Sequence, residues 1–204
     1  MIYVTKYQPK EKGKIRLCFD NGTELTVYYS EIHQFHLKEE AGITEEDYHK
    51  LVHEIIAKRA KKRAMHLLEQ MDRTEAGVRD KLKQGGYPDV CIDAAIEYVK
   101  SYHYLDDCRY AEGFVRCQQE RMSRKQIMTN LLGKGISKDL ARQALEAEYT
   151  ADERAQIDKL LKKRQFISRN ADDKEFRRMY QYLARRGFKS SEILSAMKCA
   201  VSGQ

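Results

Sequence analysis

Hydrophobic positions recur along this chain in two rhythms, and the change from one to the other divides it. Between Lys14 and Tyr29, Ile15, Leu17 and Phe19 alternate with polar residues before Asp20-Asn21-Gly22, and Leu25, Val27 and Tyr29 alternate after it. Period-two alternation turns one face of a strand toward a core, and Asn-Gly tolerates the positive φ of a tight turn, so this stretch predicts a small N-terminal β-hairpin. A two-stranded hairpin is marginal alone and must lean on something else. From Thr44 the rhythm becomes helical. Thr44 followed by Asp47 reads as an N-cap, and Tyr48, Leu51, Val52, Ile55 and Ile56 then share one face. No breaker separates this helix from Lys58-Arg59-Ala60-Lys61-Lys62-Arg63.

Beyond that point the pattern repeats. Three segments superpose on a glycine: Val78, Leu82 and Gly86-Tyr87; Ile127, Leu131 and Gly135-Ile136; Met179, Leu183 and Gly187-Phe188. The glycines are 49 and 52 residues apart, and after each the apolar or small residues return at the same offsets: Ile92, Ala95, Ile96; Ala141, Ala144, Leu145; Ile193, Ala196, Met197. Apolar residues at four-residue steps line one helical face. A glycine in the left-handed C′ conformation ends the helix, and the apolar residue after it makes the cap contact. A second helix then opens at Pro88, at Ser137, and at Ser190 or Ser191. A further helix precedes each pair, over Lys58–Met71, Asp107–Arg121 and Asp152–Phe166, and Ser123 with Gln126 reads as a capping box. The expected fold is mostly α: three tandem three-helix repeats forming a curved, elongated body, each copy stacking on its neighbour because it is too small to bury its own apolar face. The expected divisions are 1–57, 58–103, 104–150 and 151–204.

Composition fits that picture. Of 204 residues, 42% are hydrophobic and 34% charged, and two prolines and eleven glycines leave long helix-favouring stretches. No run approaches the ~20 apolar residues of a membrane span, and the first ten residues lack a signal peptide's apolar stretch, so a cytoplasmic protein is expected. Cys18, Cys91, Cys108, Cys117 and Cys199 have no zinc spacing and read as reduced thiols, mostly in the core. The net charge of +7 is unevenly placed: residues 1–57 carry −3 and residues 58–204 carry +10. Such a split points to a polyanionic or acidic partner for the second part.

Nothing along the chain is arranged like a catalytic site. Asp106-Asp107 and Asp172-Asp173 stand just before predicted helices and read as caps. His33 and His36 are close enough to share a metal but have acidic company, and no phosphate-binding loop, nucleophile elbow or dinucleotide fingerprint is present; no metal or cofactor is expected. Basic clusters recur instead: Lys58, Arg59, Lys61, Lys62 and Arg63; then Arg116, Arg121, Arg124 and Lys125; then Lys162, Lys163, Arg164, Arg177, Arg178, Arg185 and Arg186. One cluster alone is a solvated face, but recurrence in a stacked array would lay positive faces along one strip. The helix–glycine–helix element also looks like a helix-turn-helix reader, although Asp89, Asp93 and Glu97 on its second helix would repel phosphates and favour an ordinary αα-hairpin.

The middle repeat opens Tyr104-Leu105-Asp106-Asp107-Cys108-Arg109-Tyr110-Ala111-Glu112-Gly113-Phe114-Val115-Arg116, and it continues through Arg124-Lys125-Gln126-Ile127 to Lys134-Gly135-Ile136. This resembles the signature of the bacterial regulatory protein family RecX, Leu-Asp-Asp-x-Arg-Phe/Tyr-Ala-x-x-Phe-Val followed by a basic stretch and a helix ending in Lys-Gly-Ile/Val. The likeness covers roughly residues 58–200. It implies a monomeric, non-enzymatic modulator that lodges in the groove of the RecA filament on single-stranded DNA and inhibits ATP hydrolysis, strand exchange and SOS co-protease activity, with a direct DNA-binding module as the alternative. Within the motif, Asp106 would cap the helix starting near Asp107, Leu105 would staple its start, and Tyr110 and Phe114 would fill the interior. Arg109 would pair with Asp106 or Asp107, or face the filament. The contact would fall to the basic residues named above.

Overall fold

A computed structural model describes residues 1–10, 13–166 and 171–200. Two compact units meet in sequence at Asp107, the first residue of a helix. The first unit begins with a four-stranded antiparallel sheet, where a single hairpin was expected. Strands β1 (Ile2–Lys10), β2 (Lys14–Phe19), β3 (Glu24–Tyr28) and β4 (Gly42–Ile43) stand in the order β3-β2-β1-β4. The β2–β3 pair is the hairpin around Asn21-Gly22, with Leu17 opposite Leu25 and Ile15 opposite Val27. Strand β1 escapes a period-two reading because a register shift between Val4 and Lys6 breaks its alternation, and only Val4 along it is buried.

Helix α1 (Tyr29–Gln34) follows β3, and it ends on His36 in the left-handed conformation (φ 51°) with the Leu37 N–H returned to the Ile32 carbonyl. His36 is therefore a helix terminator, and among the described residues no group of three or more His, Cys, Asp or Glu is placed to hold a metal. Thr44 caps α2 (Glu45–His49), accepting from the Asp47 N–H at 3.1 Å, as expected. The helix then runs unbroken into α3 (Ala57–Gln70) through a π-helical stretch, Lys50–Ile56. A π turn brings residues five apart onto one side, and Leu51 and Ile56, both fully buried, have that spacing.

Helices α4 (Glu75–Gln84) and α5 (Asp89–Ser101) complete the first three-helix repeat. Its apolar face and the sheet share one core, in which Ile15, Leu17, Leu25, Leu51, Ile56, Leu82 and Ile92 are all fully buried. Each such side chain contributes about 1.5–3 kcal/mol by leaving water. This is what the hairpin leans on. The Cys91 thiol sits in the same core, 3.2 Å from the Val52 carbonyl.

The second unit begins at Cys108, one residue into α6 (Asp107–Gln118), and continues through α7 (Arg124–Gly133) and α8 (Lys138–Glu148), then α9 (Glu153–Lys163), α10 (Asp173–Arg185) and α11 (Ser190–Cys199). The three aligned glycines, Gly86, Gly135 and Gly187, all adopt positive φ, at 78°, 83° and 85°. Ile136 returns its N–H to the Leu131 carbonyl at 3.1 Å and is buried, which is the cap contact the offsets predict. The starts of α5, α8 and α11 fall at Pro88, Ser137 and Lys189; Ser190 is the first residue of α11 rather than its cap, and its hydroxyl lies 3.0 Å from the Tyr180 hydroxyl.

Stacking differs from the expectation. The second and third repeats close around separate apolar clusters, one centred on Ile127, Leu131 and Leu145, the other on Ile157, Leu183 and Ile193. Hydrogen bonds join them. The buried Ser123 hydroxyl donates to the Arg186 carbonyl at 2.6 Å and accepts from the Gln126 N–H at 3.2 Å. The Gln119 side chain accepts from the Thr150 N–H at 2.9 Å, and the Gln156 amide donates to the Gln119 carbonyl. The reciprocal half of the predicted capping box is not made; the Gln126 side-chain oxygen is buried without a partner among the described residues.

One device occurs once in each unit. Asp107, first residue of α6, accepts from the backbone N–H of Glu75, first residue of α4, at 2.8 Å. Glu153, first residue of α9, accepts from the N–H of Arg124, first residue of α7, at 2.7 Å. Each acid satisfies an N–H that a helix start leaves orphaned, and places negative charge where the helix dipole favours it. Burial pushes the Asp107 carboxyl above its ordinary range. At Glu75 burial acts the same way but is outweighed by hydrogen bonds from Lys100 and Arg79, which hold that carboxyl below the ordinary range.

The cysteines correct the core assignment. Only Cys91 is buried; Cys18 is half-buried and Cys108, Cys117 and Cys199 are exposed. Burial pushes the Cys91 thiol up to about 11, so almost none of it is thiolate at neutral pH. Iodoacetamide on the native protein is expected to label the three exposed cysteines first and Cys91 only on unfolding, read by mass spectrometry. Labelling of Cys91 at the rate of Cys108 would contradict its place under α3. No helix among the described residues is long and apolar enough to cross a membrane.

Candidate polyanion-binding surface

The basic residues singled out in the sequence do not share one fate. On α3, Lys58, Lys62 and Arg63 are exposed and Lys61 is half-exposed with its ammonium 5.3 Å above the Tyr98 ring. Arg59, one position from Lys58, turns inward. Its guanidinium donates to Glu31 at 2.8 Å and to the Thr26 carbonyl, and lies 4.8 Å over the Tyr28 ring. A helical face with Ala60 and Ala64 fully buried carries Arg59 along its margin, which the charge run alone does not reveal.

In the second repeat, Arg109 is exposed on α6, and Arg116 is paired with Glu148 at 2.6 Å. Arg124 lies 5.8 Å over the Tyr149 ring, and Lys125 is exposed beside it. Several motif residues lie in or beside the cores. Leu105 is buried in the first unit's core, and Asp107 accepts the first N–H of α4, whose cap is Thr74. Tyr110 and Phe114 are half-buried and stack on each other, 6.4 Å apart, under the Lys134 ammonium; Ala111 and Val115 fill the interior instead. Gly135 ends α7, as its spacing implies.

The third repeat gathers charge. Arg121 from the segment after α6, Lys159, Lys163 and Arg164 from α9 and its end, and Arg186 from the end of α10 line one groove of about 680 Å³, with Glu120 the only acid among the described residues that line it. Its aromatic wall is Tyr182, whose ring lies 3.8 Å from the Arg164 guanidinium and 4.7 Å from that of Arg186. Arg164 and Tyr182 are shared with a neighbouring hollow of about 320 Å³ lined by Arg178 and Arg185. Lys162 and Arg177 are exposed on the same two helices.

This arrangement suits an extended polyanion. Five cations against one acid raise local anion concentration. Guanidinium groups resting on a tyrosine ring are ordered before a ligand arrives, so less freedom is lost on binding, and their planar forks match phosphate or carboxylate oxygens. Lys159 and Tyr182 were missed because each is a lone residue in sequence; helical spacing from Lys163 and Arg186 brings both to the groove.

Family models described as the first, second and third three-helix domains of RecX match residues 60–98, 106–145 and 152–197, together more than half of the chain. The regulatory protein RecX of Caldanaerobacter subterraneus is 28% identical over 199 residues, covering 96% of this chain and 98% of that protein. That of Clostridium beijerinckii is 26% identical, covering 92% and 89%. A crystal structure of a regulatory protein RecX matches with a TM-score of 0.65 at 21% identity, covering 97% of this chain and all of the other. A second, from Lactobacillus salivarius, matches with a TM-score of 0.60 at 23% identity over 70% of this chain and 95% of its own. At such identities the two structures establish a shared fold. With the three-helix domains matched in order and the glycine-ended pairs in place, the chain belongs to the RecX family.

Proposed function

We propose that this chain is a non-enzymatic regulator that binds the RecA filament on single-stranded DNA and inhibits its ATP hydrolysis, strand exchange and co-protease activity. Family membership supports the regulatory part. The observation that carries the contact is the groove in which Arg121, Lys159, Lys163, Arg164 and Arg186 converge on Tyr182.

Steady-state ATP hydrolysis by RecA on single-stranded DNA tests it. Added protein is expected to lower the rate at or below stoichiometric ratios to RecA, and no inhibition there sinks the proposal. Reversing two groove charges, Lys159→Glu with Lys163→Glu, is expected to weaken the apparent inhibition at least about tenfold, since each like-charge contact removes roughly a kcal/mol or more. Arg116→Gln should have a smaller effect, because Glu148 already neutralises that guanidinium.

The same groove favours a second reading, a module that binds DNA directly. Its affinity for bare DNA would then fall with salt by about one log unit per log unit of salt for each phosphate contacted. Tight filament binding with weak binding to bare DNA would reject it.

A further inference from the structure

We infer that the C-terminal end of α5 is a tyrosine platform on which the unstacked bases of a single nucleic-acid strand lie. Tyr98, Tyr102 and Tyr104 follow one another there. The first two rings are 5.0 Å apart between centroids, and the rings of Tyr102 and Tyr104 are 6.4 Å apart in planes only 27° from parallel. Tyr102 is 59% exposed and Tyr104 51%. Lys61 holds its ammonium over Tyr98, and Lys58 and Lys62 are exposed on the same helix.

The backbone that presents these rings is strained. His103 sits at φ 57°, donating its N–H to the Lys100 carbonyl while Tyr104 donates to the Val99 carbonyl, the pattern in which α4, α7 and α10 use glycine. What the turn achieves is to bring Tyr104 back beside Tyr102. The corresponding ends of α8 and α11 have no such run; Tyr149 lies beneath Arg124, and Cys199 and Ala200 follow the third.

Planar aromatic faces with the Lys61 ammonium over one of them match bases joined by phosphates, and stacking tolerates any base because every base has a π-face; Asp89 and Asp93, nearer the start of α5, are paired with Lys83 and Arg79. Bases already stacked in a duplex do not offer that face, so a single strand is the ligand. The inference is independent of RecA, and its test contains none.

The chain has no tryptophan, so a Tyr102→Trp variant carries one reporter at the platform. Its emission is expected to be quenched by a short oligothymidylate and unchanged by an abasic strand of equal charge. In anisotropy titrations, Tyr102→Ala with Tyr104→Ala should bind oligothymidylate about tenfold or more weakly, given the ~1–3 kcal/mol of a base–aromatic stack. It should bind the abasic strand as the unsubstituted protein does. Tyr102→Phe with Tyr104→Phe should retain affinity, and circular dichroism verifies that each variant is folded. Unchanged oligothymidylate binding by the double alanine variant, or unquenched emission from the Tyr102→Trp variant, overturns the platform and leaves this face to a protein partner. Failure of RecA inhibition alone leaves these results untouched.

Discussion

Glu31→Ala is expected to destabilise the first unit by roughly 3 kcal/mol, because it removes one partner of a mostly buried ion pair and strands the other. One Glu31 oxygen accepts from Arg59 at 2.8 Å and the second from the Tyr28 N–H at 2.8 Å, which starts α1. The two side chains are only 10% and 21% exposed. Arg59 in turn holds the Thr26 carbonyl and lies between Tyr28 and Tyr87. The pair thus ties β3, α1, α3 and the α4–α5 turn together. Denaturant unfolding measures the loss. Glu31→Gln, which keeps an acceptor for Tyr28, should cost less. The double variant Glu31→Ala with Arg59→Ala should cost less than the sum of its parts, since neither charge is then left alone. A loss below about 1 kcal/mol for Glu31→Ala would place the pair among ordinary solvated surface bridges.

Gly86→Ala is expected to cost more than about 2 kcal/mol, from two separable causes. At φ 78° a side chain is unfavourable by about 1–2 kcal/mol whatever surrounds it. The new Cβ would also lie 2.2 Å from the Thr26 hydroxyl, on a β3 that Arg59 holds in place. Thermal unfolding of Gly86→Ala with Thr26→Ala should recover the part due to overlap and leave the part due to φ. At Gly187 the nearest atom, the Ser123 hydroxyl, is 2.8 Å away, so Gly187→Ala should be the milder change. Equal effects at the two positions would show that the backbone conformation alone decides.

Gly86, Gly135 and Gly187 were legible in the sequence because a helix terminator with apolar residues at fixed offsets on both sides is a local pattern, and three copies reinforce it. The unpredicted features depend on partners distant in the chain. Strand β4 is two residues long and exists only because Ile2 and Tyr3 pair with it. Arg59 looks like its neighbours in a run of cations, and only Glu31, 28 positions away, distinguishes it. The polar joint between the second and third repeats was misread because apolar periodicity registers what each repeat buries and says nothing about the single hydroxyls and amides that join them. The groove was half visible: four of its five cations stood in the predicted clusters, while Tyr182, which organises two of them, stands alone in sequence.

Asp107 and Glu153 give the chain a direction in time. The first N–H of α4 finds its acceptor in Asp107, and that of α7 in Glu153, roughly thirty positions further along. On the ribosome, then, neither helix has its N-terminal contacts complete until the following repeat has begun to emerge.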